Sequence, residues 1–247
     1  MKILQIPTSQ GSLGKNEGCE LAPAAILKTL RKKIATEIVP VDSLNIEVTQ
    51  ENIFKAVDKE KGNCILLGGD HSITQASFQA FCRHYKKPGL LMFDAHPDCT
   101  NNFKTTHEDF VHVLISEGIL DPQRFAQVGI RAGAPQELAF LKDHNVRVYF
   151  MDRIHNIEYL CDEIMEYFRD CDGLYITVDI DVLDPSQAPG TGYLEPAGMT
   201  TRELLYFLQR LKTLPQFKML DIVEVNPEKD VNTITVGTAA RIVQEFL

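Results

Sequence analysis

The chain has no C-x-x-C pair. Its six cysteines (Cys19, Cys64, Cys82, Cys99, Cys161 and Cys171) are scattered over 247 residues. Disulfide frameworks belong to short, cysteine-dense chains, so these read as reduced thiols. No segment approaches the ~20 apolar residues of a membrane span. The apolar start of the chain is stopped by Pro7, too early for a secretory signal core. Together these absences make the cytoplasm the expected location. Basic clusters are missing as well. Lys plus Arg number 25 against 34 Asp plus Glu, for a formal charge of −9. Such a chain is a poor candidate for binding nucleic-acid phosphates or an anionic membrane surface. Low-complexity linkers, long charge runs and internal repeats are also absent, so one domain over 1–247 is expected. With 44% hydrophobic and 24% charged residues, the composition is that of an ordinary globular protein.

Several catalytic signatures fail on spacing. His107-Glu108-Asp109-Phe110-Val111-His112 carries one residue too many for H-E-x-x-H, so its two imidazoles fall on different helix faces. Asp179-Ile180-Asp181-Val182-Leu183-Asp184 lacks the glycine of a calcium loop. Gly190-Thr191-Gly192 has Glu195 where a dinucleotide fingerprint needs its third glycine. G-x-S-x-G does not occur.

What the chain does contain is an alternation of short β-rich runs and longer helical stretches. Strands are predicted at 2–6, 37–41, 64–67, 90–93, 126–130, 147–150, 174–178 and 219–223. Helices are predicted at 22–33, 50–59, 73–84, 108–117, 136–144, 157–169, 202–211 and 234–246. Several strands are almost wholly apolar, as strands buried on both faces are. This alternation means an α/β fold with a parallel sheet, and by itself leaves both an open sheet and a closed barrel standing.

Chemistry sits just past the most apolar strands. Ile65-Leu66-Leu67 is followed by Gly68-Gly69-Asp70-His71-Ser72, and Leu90-Leu91-Met92-Phe93 by Asp94-Ala95-His96-Pro97-Asp98. Leu174–Val178 leads into Asp179-Ile180-Asp181, and Leu220–Val223 into Glu224-Val225-Asn226-Pro227. Four strands thus deliver carboxylates or imidazoles at their carboxyl ends, where α/β sheets place their sites. In an apolar core each such group costs several kcal/mol unless paired or bound to metal. His71, Asp94, His96, Asp98, Asp179 and Asp181 form a thiolate-free set of oxygen and imidazole donors. That set argues against structural zinc and suits a pair of Mn²⁺ ions with bridging carboxylates. Residues two apart at an extended strand end point the same way, which would aim Asp94 with His96, and Asp179 with Asp181, into one pocket.

These stretches resemble the ureohydrolases, the family of arginase and agmatinase. GGDHS (68–72), DAHPD (94–98), VDIDVLDPSQAPGTGYLEPAGMTTREL (178–204) and DIVEVNP (221–227) carry the resemblance, which runs from about Gly18 to the C-terminus. It implies a three-layer αβα fold around an eight-stranded parallel sheet, a cytoplasmic homo-oligomer (trimer or hexamer) and two Mn²⁺ per chain. His71, Asp94, Asp98 and Asp179 would hold one ion; Asp94, His96, Asp179 and Asp181 would hold the other, with Asp94 and Asp179 bridging.

The implied reaction cleaves a guanidino group to urea and an amine, using a water acidified by the metals. Glu224 would pair with the guanidinium, His107 would shuttle protons, and Asp98 would stabilise the intermediate and pass a proton to the leaving amine. Glu108 stands where the family usually has glycine and puts a charge near the pocket mouth. Asn101, Asn102, Thr105 and Thr106 could contact a polar tail. Ala132-Gly133-Ala134 follows Gly129-Ile130-Arg131 where arginases usually place an Asp for the substrate α-amino group. That departure favours agmatine or another guanidine over arginine. Alternatives are a hydrolase of the same architecture acting on a formimino or acyl amide C–N bond, and a metal-binding protein without turnover. His71 and Asp98 favour two ions over one, and Glu224 with His107 speaks for turnover.

Overall fold

The computed structural model describes residues 1–30, 34–60, 62–101 and 105–247. Among these, the strands are β1 (Lys2–Ile6), β2 (Thr36–Ile38), β3 (Cys64–Gly68), β4 (Pro88–Phe93), β5 (Phe125–Ile130), β6 (Arg147–Phe150), β7 (Gly173–Asp179) and β8 (Phe217–Val223). Helices α1 (Ala22–Thr29), α2 (Ile46–Val57), α3 (Ile73–Cys82), α4 (Phe110–Ser116), α5 (Pro135–Asp143), α6 (Ile157–Tyr167), α7 (Thr201–Leu211) and α8 (Ile234–Glu245) lie between and after them. The strands form one eight-stranded sheet in the order β2-β1-β3-β8-β7-β4-β5-β6. Every pairing is parallel. Because β2 and β6 are edges, the sheet is open and the barrel alternative falls.

Alternation along each strand feeds two cores. Ile65 and Leu67 of β3 and Leu174, Ile176 and Val178 of β7 face α1, α6, α7 and α8. Leu66 of β3 and Tyr175 of β7 face α2, α3, α4 and α5. The result is three layers, with both faces of the sheet buried, which is why its central strands carry so few polar residues.

Element boundaries shift where local chemistry intervenes. The first turn of α2 begins at Ile46 and not at residue 50, because the Asn45 side chain accepts from the N–H groups of Glu47 and Val48. α4 begins at Phe110 and not at 108. α7 begins one residue before the predicted 202, where Thr200 and Glu203 form a reciprocal cap. β2 stops at Ile38, two residues ahead of Pro40, which has no N–H to give to a ladder. The predicted last turn of α1 falls partly on 31–33, outside the described residues. All six cysteines are free, and among the described residues no helix is long and apolar enough to cross a membrane.

For function the strand order matters most. β3 with β8, and β4 with β7, are far apart in the chain and adjacent in the sheet, and β7 pairs with β8 between them. Their carboxyl ends therefore open onto one patch, and each ends in one of the polar stretches singled out above.

Candidate metal centre and active-site cavity

Past β4 the chain leaves extended geometry at once. The Asp94 side chain accepts from the His96 N–H at 2.6 Å. Past β7, Asp179 accepts from the Asp181 N–H at 2.8 Å, and Ile180–Val182 form a 3-10 turn. This corrects the alternation argument for D-x-H and D-x-D. Asp94 lies just past β4 and Asp179 is the last residue of β7, and in both cases the chain then turns, bent inward by an aspartate that accepts from the second amide after it. A further hydrogen bond from the Ala95 N–H to Asp181 Oδ1, 3.1 Å, ties the two turns together.

Two ligand clusters result, one of His71, Asp94 and Asp179 and the other of Asp94, His96 and Asp181. His71 Nδ1 lies 3.1 Å from Asp94 Oδ2, 3.1 Å from Asp98 Oδ2 and 3.3 Å from Asp179 Oδ2. His96 Nδ1 lies 3.0 Å from Asp181 Oδ2 and 3.6 Å from Asp94 Oδ1. Asp94 therefore offers one oxygen to each cluster. Asp179 offers Oδ2 to the His71 cluster, and its Oδ1, like Asp94 Oδ1, accepts one backbone N–H.

The donor set fits divalent cations. His71 Nε2 is 2.8 Å from the Thr177 hydroxyl. Thr177 is paired across β7 and β8 with Asp221, whose buried carboxylate also accepts from Tyr175 and Thr74 at 2.7 and 2.8 Å. With the Thr177 proton directed to Asp221, the hydroxyl accepts from Nε2–H, which leaves the lone pair on Nδ1. That lone pair faces three carboxylates. His71 Nδ1 and Asp94 Oδ2 are accordingly buried without a hydrogen bond. Acceptors converging on one point in the interior are tolerable only around a positive charge.

The electrostatics carry the same message. With protein charges alone, burial and the neighbouring Asp94 raise Asp98 well above the carboxylate range. Burial, with Asp181 and Asp94 beside it, does the same to Asp179. Burial opposes the charged form of His71, yet contact with Asp179, Asp94 and Asp98 holds it well above its usual value.

Above the clusters opens a cavity of about 190 Å³ lined by, among others, Asp98, His107, Glu108, Tyr193 and Glu224. Glu224 is held on three sides. Its Oε1 accepts from the His71 N–H at 2.7 Å and lies 3.0 Å from His107 Nδ1, and its Oε2 accepts from Asn16 Nδ2 at 2.6 Å. Burial works against the ionised form, but His107 and Asn16 bring Glu224 below its usual value. Reciprocally, burial is outweighed at His107 by Glu224, which pushes the imidazole up to about 9. Glu224 and Asp98 both adopt left-handed backbone angles, φ 62° and 50°. For glutamate this conformation costs on the order of 1–3 kcal/mol, a strain typical of functional positions.

Gly69 explains the neighbouring turn. A Cβ there would lie 1.8 Å from the Thr8 carbonyl oxygen, so only glycine lets the N-terminal loop close over β3.

A model of the arginase family matches residues 1–247. The chain belongs to the arginase family. The match starts at residue 1 and not near Gly18, and Asn16, which reaches Glu224, lies in the added stretch. Arginase of Staphylococcus aureus (strain COL) is 32% identical over 200 residues, covering 74% of this chain and 66% of the relative. The chain thus spans just under two thirds of that relative's length. Formimidoylglutamase of Bacillus subtilis (strain 168) is 28% identical over 273 residues, covering 99% of this chain and 85% of the relative. The crystal structure of the Bacillus subtilis formimidoylglutamase superposes with a TM-score of 0.92 at 26% identity, covering 99% of this chain and 84% of that one. Bacillus subtilis arginase follows with a TM-score of 0.91 at 25% identity, covering 100% and 97%.

Within this arginase-family frame, the other expected contacts separate. Glu108 lines the cavity. Thr106 instead turns inward, its hydroxyl donating to Asp109 Oδ1 at 2.8 Å, and it does not line the cavity. Asn101 is exposed and also off the lining; Asn102 lies outside the described residues. Arg131 is off the cavity lining, its guanidinium donating to the carbonyls of Asp181, Leu183 and Glu195 at 2.7, 3.2 and 2.8 Å. Cys99 is buried, with its thiol on the Glu137 carbonyl. Sequence reasoning passed over Asn16, Asp221 and Tyr193. Asp221 carried a signal, a lone carboxylate inside an otherwise apolar strand; the other two carried none.

Proposed function

We propose that this arginase-family chain is a binuclear metal hydrolase that cleaves the C–N bond of a small guanidine to urea and an amine. His71, Asp94, Asp98 and Asp179 would hold one Mn²⁺, and Asp94, His96, Asp179 and Asp181 the other. The observation that carries the reading is that both clusters, through His96, Asp179 and Asp181, open onto the cavity that Glu224 lines. Two bound divalent ions would acidify a water shared between them, as metals lower water from about 15.7 to about 7 in favourable sites. Everything else falls to the chain's own side chains.

Glu224 pairs with the guanidinium and holds its carbon over the clusters, a positioning that carries a large share of such rate enhancements. Its charge is maintained by His107, Asn16 and the His71 N–H. Asp98, on the lining, is placed to take up and return a proton as the amine departs. His107, with Nδ1 on Glu224 and Nε2 free of a hydrogen bond, is placed to carry protons between cavity and solvent.

Urea assayed from Mn²⁺-loaded protein over arginine, agmatine, 4-guanidinobutyrate and formiminoglutamate tests the reading. Urea from at least one guanidine supports it. Formamide without urea would replace it with amidine hydrolysis, the second reading, which the likeness to Bacillus subtilis formimidoylglutamase favours. Against that second reading, the described lining residues include no Lys or Arg to meet the two carboxylates of a glutamate tail.

A further inference from the structure

One carboxylate in the cavity has no role in the scheme above. Asp98, Asp179 and Asp181 belong with the clusters, and Glu224 takes the guanidinium. Glu137 accepts the N–H groups of Ala134 and Cys99 at 3.0 and 3.3 Å and so holds the loop after β4. Glu108 remains. Its side chain is only one-third exposed, and among the described residues no Lys or Arg pairs with it. Its Oε1 lies 3.9 Å from His107 Nε2.

This carboxylate is aimed. The Tyr193 hydroxyl donates to Glu108 Oε1 at 2.8 Å. The Tyr193 ring sits beside the His96 ring, centroids 5.2 Å apart, and 6.0 Å from the His107 ring. Its loop is pinned behind by the Arg131 guanidinium on the Glu195 carbonyl, and by Asp184 accepting from the Ala197 N–H at 2.9 Å. Glu108 and Glu224 lie at opposite nitrogens of one imidazole, Nε2 at 3.9 Å and Nδ1 at 3.0 Å. The cavity therefore presents two carboxylates, one on either side of the His107 ring.

We infer that Glu108, positioned by Tyr193, is a specificity-determining residue that selects guanidines carrying a second cation at the far end over neutral or carboxylate-ended ones. The inference rests on the guanidino-hydrolase reading for its assay, not for its geometry. A carboxylate held in a partly dehydrated cavity attracts an ammonium more strongly than it would in bulk water, and it repels another carboxylate. The competing explanation is that Glu108 serves only to tune His107. That effect would be blind to the substrate's tail.

The test compares agmatine, butylguanidine and 4-guanidinobutyrate, which share a guanidinium and differ in the far end. In Mn²⁺-loaded wild type, kcat/KM should rank ammonium over neutral over carboxylate. Glu108→Gln should shrink the agmatine-to-butylguanidine ratio by about tenfold, mainly through KM, as expected for a lost charged hydrogen-bonding partner. Tyr193→Phe should shrink it less, in the same direction, and serves if the first variant fails to fold. Calorimetry supplies a readout free of turnover: 1,4-diaminobutane should bind better than butylamine, and Glu108→Gln should erase most of that margin. An unchanged ratio, or an equal fall on all three guanidines with a shifted pH profile, overturns the inference in favour of His107 tuning. If wild type releases no urea from any guanidine, the proposed function fails on its own; the diamine margin and its loss in Glu108→Gln then decide the inference alone.

Discussion

At the floor of the cavity the His71 side chain is fully buried, and those of Asp94, Asp179 and Asp181 are exposed by 1, 5 and 4%. At the mouth, Glu108 is exposed by 32%. The floor is fixed by backbone: turns at Asp94 and Asp179, the amide of His71 on Glu224, and strands that cannot slide. The mouth is fixed by side chains reaching across loops, Tyr193 to Glu108 and Arg131 to the carbonyls around it. Backbone-anchored groups tolerate change poorly, because removing one leaves buried charges unpaired. Side chains on loops can be exchanged at small cost to the fold. The floor therefore suits a shared chemistry, and the mouth suits a choice among substrates.

The largest effect should come from breaking the floor. Asp94→Ala should abolish binding of both ions and all turnover, since Asp94 gives one oxygen to each cluster. Asp181→Ala should cost one ion preferentially, because Asp181 belongs to the His96 cluster alone. Elemental analysis after Mn²⁺ loading checks both; equal stoichiometry in the two variants would remove the asymmetry between the clusters.

Next comes the boundary between floor and mouth. Glu224→Gln should keep metal and fold but lose about 2–5 kcal/mol of transition-state stabilisation, the usual cost of truncating a buried charged partner. Steady-state kinetics on whichever guanidine is turned over would reveal this, and an unchanged kcat/KM would end the assignment.

A smaller loss is expected at His107. His107→Asn should lower kcat by roughly one to several factors of ten, with partial recovery in added imidazole, on the scale of lost general acid–base groups. Unaltered turnover, with no response to imidazole, would leave His107 a purely structural group.

The smallest effect is a pH signature of the Glu224–His107 pair in metal-free protein. His107 is raised from 6.5 to about 9 when folded. Its contribution to stability is therefore fully present below pH 6.5 and is lost as pH rises through about 9. In Glu224→Gln that loss should move to lower pH, which denaturant titrations across pH 6–10 would detect. A stability profile that does not move would show that Glu224 is not what holds the proton on His107.

The amino-acid sequence was legible where local patterns repeat. Strand-forming runs marked all eight strands, and β1 and β6 fall on their expected limits; the central strands β3, β4, β7 and β8 were plainest, because burial on both faces leaves an apolar composition that the exposed edge strand β2 lacks. The six candidate ligands were legible as polar residues just beyond such runs. Less legible were boundaries set by a single hydrogen bond, such as Asn45 ahead of α2. The reason the D-x-H and D-x-D pairs face inward was also hidden, since an aspartate capping its own turn looks the same in sequence as one on an extended strand.

Sequence alone thus determined the alternation, the inventory of donors and the family resemblance, since each depends on residues near one another in the chain. Whether the sheet stays open or closes, and that β3, β8, β7 and β4 lie side by side, was decided only by tertiary structure. So were the meetings of Asn16 with Glu224, 208 residues apart, of Glu108 with Tyr193, 85 apart, and of Asp221 with Thr177 behind His71. Contacts at such separations leave no periodicity in one chain. They arise because strands distant in sequence must pair to bury their faces, and that pairing carries the loops at their ends to a common point.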